Sequence, residues 1–223
     1  IFERVDLATG VTLAKSSVPV VFAGHPQLTS PPRQAVLYAS DQGTVLHSLN
    51  SVDKTIVVPP LGREIACFAA NPFHDVMAVA QGATIEVRSL ATLKAISQVQ
   101  LHNEVRQVLW SPDGFQLLVC ETDGTLHLLE GTTLERIQSQ PTSLVENTKL
   151  LWSRQGRRVA AYSESAKIVV WDLMRNEVTS AKADVVFLRT VAISPDGHSI
   201  AYADVHDQVW LLFPGEKTEP QLL

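Results

Sequence analysis

The apolar positions of this chain fall in runs of about five, rich in Val, Ile, Leu and aromatic residues and bounded by Gly, Pro, Asp and Ser. No window sustains apolar residues at i, i+3, i+4 and i+7, so an amphipathic helix finds no support. The runs predict strands, and the predicted fold class is all-β. Ser111-Pro112-Asp113-Gly114 and Ser194-Pro195-Asp196-Gly197 carry hairpin chemistry. Proline presets φ, aspartate bonds its own backbone, and glycine accepts positive φ. Asp123-Gly124 and Asp41-Gln42-Gly43 mark the next hairpin of their units in the same way.

These strand-and-turn units repeat. Residues 104–114, 115–120 and 122–130 align with 150–153, 158–162 and 167–173, and again with 190–197, 199–203 and 207–212. A weaker copy runs through 65–72, 76–80 and 84–88, and the weakest through 20–24, 36–40 and 43–47. With Val5, Ser48, Val87, Leu129, Trp171 and Leu212 taken as equivalent, the separations are 43, 39, 42, 42 and 41 residues. One four-stranded propeller blade takes roughly 40–45 residues. The prediction is a β-propeller of four-stranded antiparallel blades in a single domain, 1–223. Its units are 1–16 (partial), 17–62, 63–102, 103–144, 145–185 and 186–223. That is about five and a half blades of a seven-blade ring, with a closed six-blade ring as the alternative. The chain opens inside a strand, on Ile1 rather than Met, and is read as a piece of something longer.

The run Trp110-Ser111-Pro112-Asp113-Gly114 with Asp123-Gly124, and the single intact Trp-Asp at Val170-Trp171-Asp172-Leu173, resemble the WD-repeat family. The resemblance covers the whole chain in degenerate form. It implies a hydrogen-bond network in each blade, formed by a His before the innermost strand, an Asp in the second hairpin, a Ser or Thr, and the Trp. His102 lies near the His position and Asp123 at the Asp position, but Leu129 replaces the Trp. The next blade keeps Trp171-Asp172 without the matching His or turn Asp. The resemblance also implies a protein–protein interaction scaffold in a larger assembly.

Charge and composition narrow the partners. A formal charge of −5 gives no basic field for a phosphate backbone and no polybasic anchor for anionic lipid. Partners are therefore expected to be other protein subunits or peptide segments, with no direct nucleic acid and no membrane insertion; the longest apolar runs are too short to span a bilayer. Cys67 and Cys120 stand far apart, outside any C-x-x-C spacing, and read as small buried hydrophobes rather than a disulfide or zinc site. An intracellular, cytoplasmic setting fits. No G-x-S-x-G elbow, H-E-x-x-H pair or Gly-rich phosphate loop occurs, so no catalytic residue, metal ligand or cofactor is assigned.

One row stands out. Counting back equally from Trp110, Ala70, Trp152 and Ile193 gives Glu104, Glu64, Glu146 and Phe187, just before the innermost strand of successive blades. Two residues further on, the row reads Ala66, Arg106, Thr148 and Arg189. Glu64, Glu104, Arg106, Glu146, Phe187 and Arg189 form the candidate partner-binding rim. Three readings stay open: a solvated edge, an acidic rim that receives a basic peptide, and a tunnel Ca²⁺ site of the kind some propeller enzymes carry. The stretch 26–33 is longer than its counterparts and is the second contact candidate, as an A–B loop. His47 and His127 are read as equivalent positions of the third strand, in structural roles. Ile193 to Gly197 followed by Ile200-Ala201-Tyr202 also resembles the repeats of prolyl-oligopeptidase-like peptidases and of bacterial envelope proteins, which would make this a propeller accompanying a separate hydrolase domain.

Overall fold

The computed structural model describes six strands within residues 1–66, and residues 67–144, 148–163, 165–183, 185, 187–216 and 219–223. Every element among them is a strand. β1 (Phe2–Val5) and β2 (Thr12–Ser16) pair with each other. Five four-stranded antiparallel sheets follow, each a simple meander. Blade 1 holds β3 (Gln27–Leu28), β4 (Ala35–Ser40), β5 (Gly43–Ser48) and β6 (Thr55–Val58). Blade 2 holds β7 (Cys67–Ala70), β8 (Val76–Gln81), β9 (Thr84–Ser89) and β10 (Ala95–Gln100). Blade 3 holds β11 (Val105–Trp110), β12 (Gln116–Glu121), β13 (Leu126–Glu130) and β14 (Arg136–Gln140). Blade 4 holds β15 (Lys149–Trp152), β16 (Arg158–Tyr162), β17 (Lys167–Asp172) and β18 (Glu177–Lys182). Blade 5 holds β19 (Leu188–Ile193), β20 (Ile200–Asp204), β21 (Val209–Leu212) and β22 (Gln221–Leu222). Within each blade the strands are A to D in chain order. The A strands β3, β7, β11, β15 and β19 lie side by side in succession, as the innermost strands of a propeller do.

The B and C strands of blades 2 to 4 read as near-continuous apolar runs because both of their faces are buried. In β12, Leu117 and Val119 join a core shared with blade 2, whereas Leu118 and Cys120 join one shared with blade 4. In β16, Val159 and Ala161 face blade 3, and Ala160 and Tyr162 face blade 5. The D strands do not share this burial: β10 and β14 are largely exposed or half-buried, with polar residues at half or more of their positions. Hydrogen bonds join the blades at the inner strands as well. Trp110 Nε1 donates to the Ala69 carbonyl at 3.0 Å and Trp152 Nε1 to the Leu109 carbonyl at 3.4 Å, each reaching the A strand of the preceding blade.

Strand pairing corrects the repeat register. Ser40 opposes Gly43 and Gln81 opposes Thr84, so two-residue turns join B to C in blades 1 and 2. In blade 3 the Glu121 N–H bonds the Thr125 carbonyl across a turn one residue longer. The positions equivalent to Trp171 are therefore His47, Arg88, Leu129 and Leu212, spaced 41, 41, 42 and 41 residues, in place of Ser48 and Val87. His47 consequently matches Leu129 and not His127. In blade 1, Gln27 and Leu28 pair with Leu37 and Val36 as the inner strand, inside the stretch expected to be a long loop. Pairing at Leu28 closes a shorter connection than pairing from 20–24 would, and short closures cost less entropy. The expected strand at 20–24 and the rest of 26–33 lie outside the described residues.

Leu118 is fully buried between blades 3 and 4. Its truncation to Ala is expected to cost about 2–5 kcal/mol, as deletion of buried methyl groups does. Equilibrium urea unfolding of the full chain measures this.

Candidate interaction face around Glu104

In an antiparallel meander, the A–B and C–D turns meet at one end of the blade and the B–C and D–A connections at the other. Backbone bonds confirm both groupings: Gly131 N–H to the Phe115 carbonyl at the first end, and Thr122 N–H to the Glu104 carbonyl at the second. Glu104 is exposed at the second end, at the start of β11. It borders a cleft of about 780 Å³ lined also by Gln81, Glu86, Gln100, His102 and Asn103. No Lys or Arg lines this cleft among the described residues.

A buried clasp holds the loop that carries Glu104. Glu121 Oε1 accepts the backbone N–H groups of His102 and Asn103 at 3.0 and 2.9 Å. Its Oε2 lies 3.0 Å from His127 Nε2, and His127 Nδ1 lies 2.9 Å from Ser139 Oγ. An Nε2–H imidazole satisfies both contacts, donating to the carboxylate and accepting the serine hydroxyl. Burial pulls the Glu121 carboxyl upward, but the Asn103 N–H and the His127 ring outweigh it and hold the pKa below the usual value of 4.5. Ser, His and Glu are also the residue types of a hydrolase relay. Here the glutamate's other oxygen is committed to the loop amides, so the set reads as a clasp.

The column repeats with changed chemistry. Blade 5 sets Trp210 Nε1 3.4 Å from Asp204 Oδ2, at the positions of His127 and Glu121. Blade 2 has Glu86 at the His127 position, bound at 2.7 Å to the buried Arg88, which occupies the Trp position. Sequence reasoning missed the clasp because its members come from strands B, C and D. His127 and Ser139 are direct cross-strand partners, a fact available only once the hairpin register is known.

The other described rim residues, on blades 3 and 5, have different surroundings. Arg106 is half-buried, and its charge opposes the effect of burial on the Cys120 thiol, whose pKa is nevertheless pushed up to about 11. Burial raises Cys67 to about 12, so both thiols stay protonated at neutral pH. Phe187 is exposed, while Arg189 is ion-paired with Asp207. Glu64 and Glu146 lie outside the described residues. Among the described residues no three His, Cys, Asp or Glu side chains gather as a metal site.

The expected network is also rewired. Asn103 Nδ2, not His102, donates to Asp123 Oδ2 at 2.9 Å. Trp171 Nε1 donates to Asn176 Oδ1 at 3.1 Å, and Gln140 of blade 3 donates to that oxygen too. Asp172 caps the C–D turn through the N–H groups of Met174 and Arg175, and its other oxygen binds Arg158 Nε at 3.0 Å. Arg158 Nη1 in turn donates to the Gly197 carbonyl of blade 5 at 3.2 Å. The Trp-Asp pair thus fastens blade 4 to both neighbours.

The family model described as "WD domain, G-beta repeat" matches residues 93–129, from the C–D turn of blade 2 through strand C of blade 3. That match, together with the repeated four-stranded antiparallel sheets, supports a WD-repeat family protein. A search of curated proteins finds no match. WD repeats act in general as protein-interaction scaffolds, and the blades of this chain present loops at two ends of sheets joined by shared cores.

Two predictions follow from the clasp. The folded-state pKa of Glu121 lies below its unfolded value, so the unfolded chain binds the extra proton first. The stability this carboxyl contributes is complete above about pH 4.5 and is lost as pH falls through the lower folded value. Glu121→Gln should remove that part of the acid dependence, read as a flatter urea midpoint between roughly pH 6 and pH 3. His127→Ala should leave the core strands protected but speed hydrogen exchange at the His102 and Asn103 amides, measured by mass spectrometry or NMR.

Proposed function

We propose that this WD-repeat chain is a non-catalytic scaffold, one propeller domain spanning 1–223 within a larger cytoplasmic assembly. The observation that carries the reading is the polar cleft at Glu104. Its lining holds the exposed Glu104 carboxylate and several carboxamides, with Glu86 paired to Arg88, and the clasp holds the Glu104 loop in place before any partner arrives. Preorganised loops lose less entropy on binding. A basic peptide segment or tail fits this chemistry, with its cation at Glu104 and its backbone on the Gln and Asn side chains. Glu64 and Glu146, at the same register, extend the proposed acidic row.

Reversing Glu64, Glu104 and Glu146 to Lys in the full chain should abolish capture of the subunits identified by affinity purification and crosslinking, with the circular dichroism unchanged. Glu104→Lys alone should weaken capture and make it less sensitive to salt. Undiminished capture by the folded triple variant would remove the acidic-rim reading.

A further inference from the structure

The opposite end carries a second surface of different chemistry. Phe73 and Phe115 stand on successive A–B hairpins and are 63% and 62% exposed. With His74, Pro112, Arg154 and Gly156 they line a groove of about 500 Å³ that spans blades 2 to 4. That volume lies in the range that accepts several side chains. Large aromatic rings gathered at one exposed groove mark an interaction site more often than scattered apolar residues do.

The groove is built in advance. Asn71 Oδ1 accepts the N–H groups of Phe73 and His74 at 2.9 and 2.8 Å, and Asn71 Nδ2 donates to the Gly114 carbonyl at 2.8 Å, tying the two hairpins together. Asp113 Oδ1 accepts the Phe115 N–H at 3.1 Å and the Ser111 hydroxyl at 2.5 Å. The His74 and Phe115 rings lie 5.6 Å apart at 58°. On the third side, the Gln155 N–H is fixed to the Pro195 carbonyl of blade 5 at 2.9 Å.

Charge decides the occupant. The chain as a whole is acidic, yet the blade 4 loops at this end carry Arg154, Arg157, Arg158 and Arg175 against Asp172 and Glu177. Asp172 is bound to Arg158, while Arg154, Arg157 and Arg175 are exposed. Asp113 is the one carboxylate in the groove lining among the described residues, and its Oδ1 is engaged within its own turn.

We infer that this groove docks a short acidic segment of a partner protein, with a bulky apolar residue between Phe73 and Phe115 and a carboxylate on Arg154. The partner chemistry is opposite in charge to that proposed at Glu104, so the two ends of the stack would join unlike partners.

The test is selection of phage-displayed random 12-residue peptides on the full chain, with affinities of the selected synthetic peptides then measured by fluorescence anisotropy. The expected result is enrichment of sequences pairing Asp or Glu with Phe, Leu, Ile or Trp. Phe73→Ser with Phe115→Ser should abolish their binding, and Arg154→Glu should weaken it on the order of ten-fold or more. Circular dichroism and the urea midpoint should stay unchanged, because these side chains are exposed. Glu104→Lys should leave the binding as it is, which separates this surface from the cleft at the other end. No enrichment, enrichment of basic peptides, or binding indifferent to both sets of variants would overturn the inference. So would self-association of the wild-type chain in sedimentation that Phe115→Ser abolishes, since a second copy would then occupy the groove.

Discussion

Burial of both faces of the B and C strands in blades 2 to 4 is the constraint on which the rest of this structure depends. Three of the described cores are shared by adjacent blades, with Leu117 and Val119 on one side of β12 and Leu118 and Cys120 on the other. A single blade cannot bury its own apolar surface, so stability here is a property of neighbouring pairs. This sets the polarity of the remainder. Inner strands can exchange hydrogen bonds through Trp110 and Trp152, whereas the D strands β10 and β14, with one side open, are polar at half or more of their positions.

With the B and C faces of blades 2 to 4 taken up by packing, what those blades leave open to other molecules is mainly their turns and D strands. The fold sorts these turns into two ends with different chemistry. At one end the Glu121–His127–Ser139 clasp steadies an acidic, carboxamide-rich cleft. At the other, Asn71 and Asp113 steady two exposed phenylalanines beside an arginine-rich sector. In both cases a buried or turn-bound polar side chain accepts backbone N–H groups and thereby places a neighbouring exposed residue. Rigid loops on a rigid stack are suited to recognition, because little ordering remains to be done on binding.

The family's Trp-Asp pair shows how a degenerate repeat keeps its architecture. Leu129 and Leu212 fill the Trp position by apolar burial alone, and Arg88 fills it as a buried ion pair with Glu86. The network that the resemblance implies is not needed in every blade, provided the position is occupied and its polar groups are satisfied. Gly124 is constrained more tightly than its neighbours. It sits at φ +87°, and a Cβ there would lie 2.2 Å from the Leu144 carbonyl oxygen. Gly114 and Gly197 also combine positive φ with a close neighbour, but theirs is a side chain, whereas that of Gly124 is backbone.

The all-β class, the repeat near 41 residues and the turn chemistry of Ser111 to Gly114 were legible from the chain alone, because local apolar runs and turn residues encode them. The place of Glu104 just before an inner strand was legible too, since it depends only on counting back from aligned inner strands. Register across two-residue turns was not: a single residue gained or lost moves Arg88 into the Trp column and takes His47 out of the His127 column. Such a slip changes no local pattern and is decided only by which carbonyls and amides pair. The clasp behind Glu104 and the groove between Phe73 and Phe115 were likewise invisible, as each joins residues from separate strands or separate blades. The sequence by itself determined that this chain folds into blades and that Glu104 stands at a blade's edge. Tertiary structure alone decided what holds that edge in place and which exposed side chains meet, because both depend on contacts between segments distant in sequence.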